Sequence, residues 1–353
     1  MVEWDFLFNT LDTFNFGPVF INWIKLLYHN ISSYTTNNGF LSRNFKLTRG
    51  IRQGCPISAL LFVLVAEILS IKLRTDETVT GIQVNGTEYK ICQLADDTTI
   101  FVKNLQSLKN AINLFQRFQE YSGLKLNLEK CEIIPLGPCR ESQLKLPKDV
   151  DKLTVNIGAF KTLGIWFSYD FDESVKLNYE ERFNKIKTVM QIWKQRSLSW
   201  KGRIMIIKTL ILSQVTHLLS MIFTPLHIIK KLDNILFHFL WGDSPPRIKR
   251  ETIVADTNDG GLKMTDVFSF HNAQKAMWVK RYLQNTNGKW KMLFQYLCNI
   301  KKYKFDHKLS SNDFTCQGKF HHQVLDCWFT FKSSPPNTLT GILNEFIFLK
   351  QIY

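Results

Sequence analysis

Apolar positions in the N-terminal half of the chain change period several times, and each change marks an element. Trp4, Leu7, Phe8, Leu11 and Phe14 recur at helical spacing until Gly17-Pro18 interrupts them. Phe20, Ile21, Ile24, Leu27, Tyr28 and Ile31 repeat that pattern. "TTNNGFLSRNFKL" then alternates around Asn38-Gly39, a dipeptide suited to the tight turn of a β-hairpin. After the turn-rich "TRGIRQGCPIS" an apolar helix is expected from Ala59 to Leu73. "TGIQVNGTEYKICQLADD" predicts a second hairpin about Asn85-Gly86, its far strand running straight into Asp96 and Asp97. Leu105, Leu108, Ile112, Phe115 and Phe118 share one helix face as far as Gly123. "LKLNLEKCEIIPLG" alternates as a strand does, and "VNIGAFKTLGIWFSY" as a short strand pair.

From about Tyr179 the pattern turns to long basic helices. Residues 180–250 hold 13 Lys or Arg against 4 Asp or Glu. "GDSPPRIKR", Gly242 to Arg250, reads as a linker, and the remainder is mixed, without repeats. The order α-α-ββ-α-ββ-α-β, followed by a basic helical module, predicts an α+β fold: a sheet domain whose hairpin carries the two acids, then a helical domain.

Charge narrows the partners. The 353 residues carry a net +15, with an isoelectric point near 9.4, which favours a polyanion: nucleic acid or an anionic membrane surface. Ile57–Ile71, the longest apolar run, is too short to span a bilayer and contains Glu67. "IMIIKTLILSQVTHLLSMIF" is interrupted by Lys208, Gln214 and His217. "MVEWDFLF" has no basic n-region, so no signal peptide is read and an intracellular protein, nuclear or cytoplasmic, is expected. Seven scattered Cys without a C-x-x-C pair argue against a disulfide framework and fit a reducing compartment. Cys316, His321, His322 and Cys327 cluster, but their spacings fit no standard zinc pattern, so zinc is not expected.

The chemistry concentrates in "ICQLADDTTIFVKN". Adjacent carboxylates beside apolar strand residues repel each other, and a hard divalent cation such as Mg²⁺ cancels that repulsion. A basic chain with such a site suits nucleotidyl transfer on nucleic acid. By itself an Asp-Asp pair also suits a solvated turn.

"RGIRQGCPISALLF", followed some forty residues later by "LADDTTIF", closely resembles the reverse transcriptases of non-LTR (LINE-type) retrotransposons. The resemblance continues through "SGLKLNLEKCE", like a palm strand, "KTLGIWFS", like a primer-grip hairpin, and "SLSWKGRIMIIKTLILSQVTHLL", like a thumb helix. It implies a partial polymerase palm over 1–160, primer grip and basic helical thumb over 161–245, and a linker and C-terminal region over 246–353. It implies Asp96 as the main metal ligand with Asp97 beside it, holding Mg²⁺ or Mn²⁺. Gln53 and Gly54 would line the nucleotide pocket, Arg52 would contact phosphate or template, and Lys130 would assist the leaving pyrophosphate. Leu163 and Gly164 would set the primer's 3′ end. The implied partners are an RNA template, a DNA primer and deoxynucleoside triphosphates, with no membrane. Arg196, Lys201, Arg203 and Lys208 flank an apolar stripe, so one face can pack while the other meets phosphates. Trp193 and Trp200 read as core.

There are departures. In the family a block like F-x-D-x-x-K-A-F-D, whose Asp is the other main metal ligand, precedes the V-E-W preserved here as "MVEW". The chain is therefore expected to be a truncated, catalytically impaired polymerase. Asp5 and Asp12 fall within the first helical pattern and do not replace that ligand. Leu94 stands where an aromatic residue is usual. The alternatives are a non-enzymatic nucleic-acid-binding remnant and a remnant that folds poorly.

Overall fold

A computed structural model describes residues 1–140, 153–242, 244–284, 286–300 and 315–332. The chain divides into two compact units, Met1–Ile157 and Gly158–Tyr353. Part of the expected C-terminal region, and Asp243 in the expected linker, lie outside the described residues.

The first unit opens with α1 (Trp4–Thr13) and α2 (Pro18–Leu27), where Pro18 occupies the first helical turn and forfeits no hydrogen bond. Four short strands follow: β1 (Ser32–Ser33), β2 (Thr36–Asn37), β3 (Phe40–Leu41) and β4 (Phe45–Lys46). The next helix, α3 (Pro56–Thr75), leads to β5 (Ile82–Val84), β6 (Thr87–Tyr89), β7 (Ile91–Leu94) and β8 (Asp97–Ile100). The unit continues through α4 (Leu105–Ser122), β9 (Glu132–Ile133) and β10 (Thr154–Val155). Leu7, Leu11, Ile21, Ile24, Leu61 and Val65 interlock α1, α2 and α3, and removing such fully buried chains from water stabilises by about 1.5–3 kcal/mol each. A second cluster sets Leu69 and Leu73 of α3 against Ala111 and Leu114 of α4. Asn104 caps α4, accepting from the Ser107 N–H at 2.8 Å, and Gly123 ends it at φ +72°.

The expected single sheet is replaced, among the described residues, by ladders of two strands. The antiparallel pairs are β1–β4, β2–β3, β5–β6 and β7–β8, and β9–β10 is parallel. Asn38-Gly39 and Asn85-Gly86 do form the expected tight turns, each Asn and Gly at positive φ. "LKLNLEKCEIIPLG" is not one strand: Leu128–Lys130 is a 3₁₀ turn and only Glu132–Ile133 is extended. The Asn127 side chain accepts from the Glu129 N–H at 3.1 Å and pulls the backbone into that turn. The apolar run expected to be too short to span a bilayer belongs to the 20-residue α3, long and apolar enough by length and composition to cross one. One face of α3 packs into the core through Leu61, Val65, Leu69 and Leu73, while Leu60 and Val63 are exposed.

The second unit begins with a hairpin, β11 (Phe160–Thr162) and β12 (Ile165–Phe167), and the 24-residue α5 (Phe171–Lys194). Then come α6 (Trp200–Ile206), a π-helical turn over Ile207–Ile211, α7 (Ser213–Met221) and α8 (Leu226–Trp241). The helical run bends by 48° at this break, so the interrupted apolar stretch does not form one straight helix. Its Ile204, Ile207, Ile211, Val215 and Leu219 enter a core shared with Phe183, Leu232 and Leu236. The unit closes with α9 (Arg250–Val254), α10 (Val267–Leu283), α11 (Lys289–Leu297) and α12 (Lys319–Lys332). Arg250 ends the expected linker by bonding Asp233 of α8 and, at 3.0 Å, Asn234. Trp193 is half-buried against the core, whereas Trp200, expected to be core, is exposed at the N-terminus of α6 and meets Trp241 edge-on with centroids 5.4 Å apart.

Candidate active site

A two-residue turn, Ala95-Asp96, joins β7 to β8, with Leu94 paired to Asp97. Such loops need positive φ, and Ala95 takes it at +53°. Strand alternation then sorts the side chains. Ile91, Gln93, Thr98 and Ile100 are half-buried, and Ile91 and Ile100 pack on the α3–α4 cluster. The opposite face presents Cys92, Leu94, Asp97 and Thr99, and Leu94 is 62% exposed. The tip is fastened from below: Ser70 of α3 donates to Gln93 Oε1, and Gln93 Nε2 donates to Thr98 Oγ1 at 3.1 Å. Lys90 reaches past the hairpin to the Asp76 carbonyl at 2.8 Å. Asp96 and Asp97 thus stand exposed at the end of a short lever whose other face is anchored.

Their donor set fits part of a hard-cation site. Mg²⁺ commonly takes one or two carboxylates and completes its octahedron with waters and substrate phosphates. Among the described residues no group of three or more His, Cys, Asp or Glu converges as a metal cage. Asp5 and Asp12 lie on α1.

Arg52, Gln53 and Gly54 form an exposed turn ahead of α3, with Gly54 at φ +82°. Cys55, at the N-cap of α3, has its thiol held below the usual range by the Ile57 N–H, with smaller help from Ser58 and Arg52. Lys130 ends the 3₁₀ turn and is exposed.

In the second unit Leu163 and Gly164 form the β11–β12 turn, at φ +48° and +77°. Both carbonyls have partners: Arg182 donates to Gly164 O at 3.2 Å, and His217 Nε2 lies 3.2 Å from Leu163 O. The hairpin is clamped to α5 by Glu181, which pairs with Lys161 at 2.6 Å and accepts from Trp166 Nε1 at 2.9 Å. Lys161, Lys185 and Trp166 together hold the Glu181 carboxyl down at about 2. Asn178 adds bonds to the Trp166 N–H and carbonyl at 2.9 and 2.7 Å.

The four cations picked out around the thumb-like segment do not share one environment. Arg196 lies over the Trp193 ring at 5.3 Å. Lys201 and Lys208 are exposed. Arg203 turns inward: its Nη1 donates to Phe239 O at 3.3 Å and Leu240 O at 3.0 Å, capping the C-terminus of α8. A different basic surface emerges between α5 and α8. Lys187, Met190, His227, Lys230, Lys231, Asn234 and His238 line an open groove of about 520 Å³. A smaller recess of about 170 Å³ adjoins it, where Lys194, Trp193 and Arg203 join the lining. Neither lining contains an Asp or Glu. Sequence clustering missed this groove, although the spacing of His227, Lys230, Lys231, Asn234 and His238 on one helix face is a usable signal.

Cys316, His321, His322 and Cys327 have separate partners. His321 Nδ1 lies 3.1 Å from Gln317 O, His322 Nδ1 lies 2.6 Å from Asp326, and Cys327 is buried near Asn272.

Residues 1–167 match the family described as reverse transcriptase (RNA-dependent DNA polymerase). The chain is 26% identical over 244 residues to the 149 kDa protein of transposon TX1 from Xenopus laevis, covering 68% of this chain and 18% of that protein. It is 24% identical over 273 residues to the retrovirus-related Pol polyprotein of the type-2 retrotransposable element R2DM from Drosophila melanogaster, covering 72% and 24%. The chain thus spans about a fifth to a quarter of the length of these relatives. Residues 1–167 are thus similar to the reverse transcriptase family, and the relatives that match most of this chain are proteins of transposable elements.

Proposed function

We propose that this chain contributes the catalytic hairpin and the nucleic-acid-holding helices of an RNA-directed DNA polymerase. The observation that carries the reading is the anchored β7–β8 tip, which presents Asp96 and Asp97 to solvent while its other face packs on α3 and α4. Asp96 and Asp97 would hold Mg²⁺ or Mn²⁺, with waters and nucleotide phosphates as further ligands. A bound divalent ion supplies charge stabilisation at the transferring phosphoryl group. The chain's own part is positional: Arg52, Gln53 and the Gly54 turn take the triphosphate side, and Lys130 the departing pyrophosphate. The Leu163-Gly164 turn, stiffened by Arg182 and His217, supports the primer end. Two carboxylates are an incomplete two-metal set, so the 353-residue chain alone is expected to extend a primer weakly at most.

Metal binding separates the hairpin from any other activity. In a Mn²⁺ titration followed by NMR, the amide signals of residues 94–99 should broaden first, and Asp96→Ala with Asp97→Ala should remove the effect. Broadening spread over the surface, unchanged in the double variant, would sink the assignment.

The second reading, nucleic-acid binding without catalysis, is favoured by the acid-free cationic groove between α5 and α8. It is tested by fluorescence anisotropy with an RNA–DNA duplex. Lys230→Glu with Lys231→Glu should weaken binding at least tenfold and flatten its salt dependence, while Asp96→Ala leaves it unchanged.

A further inference from the structure

Two of the seven scattered cysteines meet. Cys298 follows α11 and is fully buried, and Cys316, ahead of α12, is partly accessible. Their segments are fastened side by side. The Gln317 N–H donates to Leu297 O at 2.6 Å, and Asn299 Nδ2 donates to Thr315 Oγ1 at 2.7 Å. Both side chains enter one apolar cluster with Val279, Phe294 and Val324, close enough for each thiol to shift the ionisation of the other.

We propose that Cys298 and Cys316 are a reversible thiol pair, oxidised by low-molecular-weight disulfides, in which Cys316 is the attacking sulfur and Cys298 the resolving one. The asymmetry follows from burial and from the interaction of the two thiols. The Cys298 thiol holds the Cys316 thiol below its ordinary range; partial burial and Asp326 oppose this without reversing it. The same interaction, together with burial, pushes the Cys298 thiol up, so it stays protonated until its neighbour has reacted. The Cys316 thiolate attacks one sulfur of the small disulfide, forming a mixed disulfide and expelling one thiolate. Cys298 then attacks the Cys316 sulfur, its proton leaving with the second small thiol. Two protein thiols have lost two electrons and two protons, and the small disulfide has become two thiols. The bond formed would staple the end of α11 to the approach of α12. It concerns neither the carboxylates nor the groove, so it stands apart from the polymerase reading.

The test uses the full folded chain and glutathione disulfide at pH 8, followed by alkylation and peptide mass spectrometry. Wild-type protein should yield a cross-linked peptide pair containing Cys298 and Cys316, with a thermal midpoint higher by roughly 5 °C, both reversed by dithiothreitol. Cys298→Ser should stop at a glutathione adduct on Cys316, whereas Cys316→Ser should leave Cys298 unmodified while folded. The wild-type result is decisive even if a variant misfolds. If Cys298 and Cys316 both remain alkylatable after oxidation in folded wild-type protein, or pair with other cysteines instead, the proposal is wrong.

Discussion

Ala95 occupies a backbone region that an L side chain enters at a cost, and it does so one residue before the proposed metal ligand. A non-glycine residue in the left-handed region costs roughly 1–2 kcal/mol, part of which glycine gives back through the greater freedom of its unfolded chain. Ala95→Gly is therefore expected to stabilise the first unit by about 0.5 kcal/mol in urea unfolding. It should also loosen the tip, so that Asp96 and Asp97 hold Mn²⁺ less tightly. A gain in both stability and metal affinity would contradict the view that the strain positions the acids. Arg203 makes the opposite kind of residue. Its charge looks like a phosphate contact in the sequence, but its guanidinium closes the end of α8. Arg203→Ala should lower the stability of the second unit by about 1–2 kcal/mol, measured by thermal unfolding. Any loss of nucleic-acid binding should then track unfolding and not charge.

At the scale of elements, α10 carries two buried groups, Lys275 and His271, whose ionisation is strongly shifted. Lys275 is fully buried, donates to the Ile222 carbonyl beyond α7, and lies 4.6 Å from the Phe320 ring of α12. Burial lowers its pKa from 10.5 to about 7. Burial, with the Lys275 charge second, lowers His271 from 6.5 to about 4. Between the folded and unfolded values of each group the unfolded chain binds more protons, so stability rises with pH through both windows. Cys327, pushed up from 9.0 to about 12 by burial, works the other way above pH 9. The thermal midpoint should therefore climb from pH 4 to about 9 and then level or fall. Lys275→Met should abolish the climb above pH 7 and leave the lower one. The turns and helices of this fold were largely legible beforehand, because Asn38-Gly39, Asn85-Gly86, Pro18 and Gly123 act locally. The stretch through Lys130 misled because its alternation was real but Asn127 captured the backbone first. The proposed acids could be found as a motif. Their support by Ser70 and Gln93 could not, because that pair is joined across 23 positions. Half of the α5–α8 groove was legible, in the basic face of α8 from His227 to His238; the other half was not, since only the fold brings Lys187 and Met190 of α5 against it.

For the whole molecule, a net charge of +15 makes ionic strength the main control on any polyanion it meets. Affinity for an RNA–DNA duplex should fall steeply between low and physiological salt, and each groove lysine removed should reduce the slope by about one. A flat salt profile would disconnect the basic helices from nucleic acid altogether. The ladder arrangement also sets a timetable. The β2–β3, β5–β6, β7–β8 and β11–β12 pairs each close across a two-residue turn, an event of roughly 1–10 μs. The parallel β9–β10 pair instead joins Glu132 to Thr154, across twenty-two positions, and must wait for that longer loop to close. The acids would then be mounted on a finished hairpin while the end of their unit is still unpaired. Pulse-labelled hydrogen exchange during refolding should accordingly protect residues 91–100 early and Ile133 and Val155 late, so that the tip proposed to carry the chemistry is among the earliest parts of the chain to become itself.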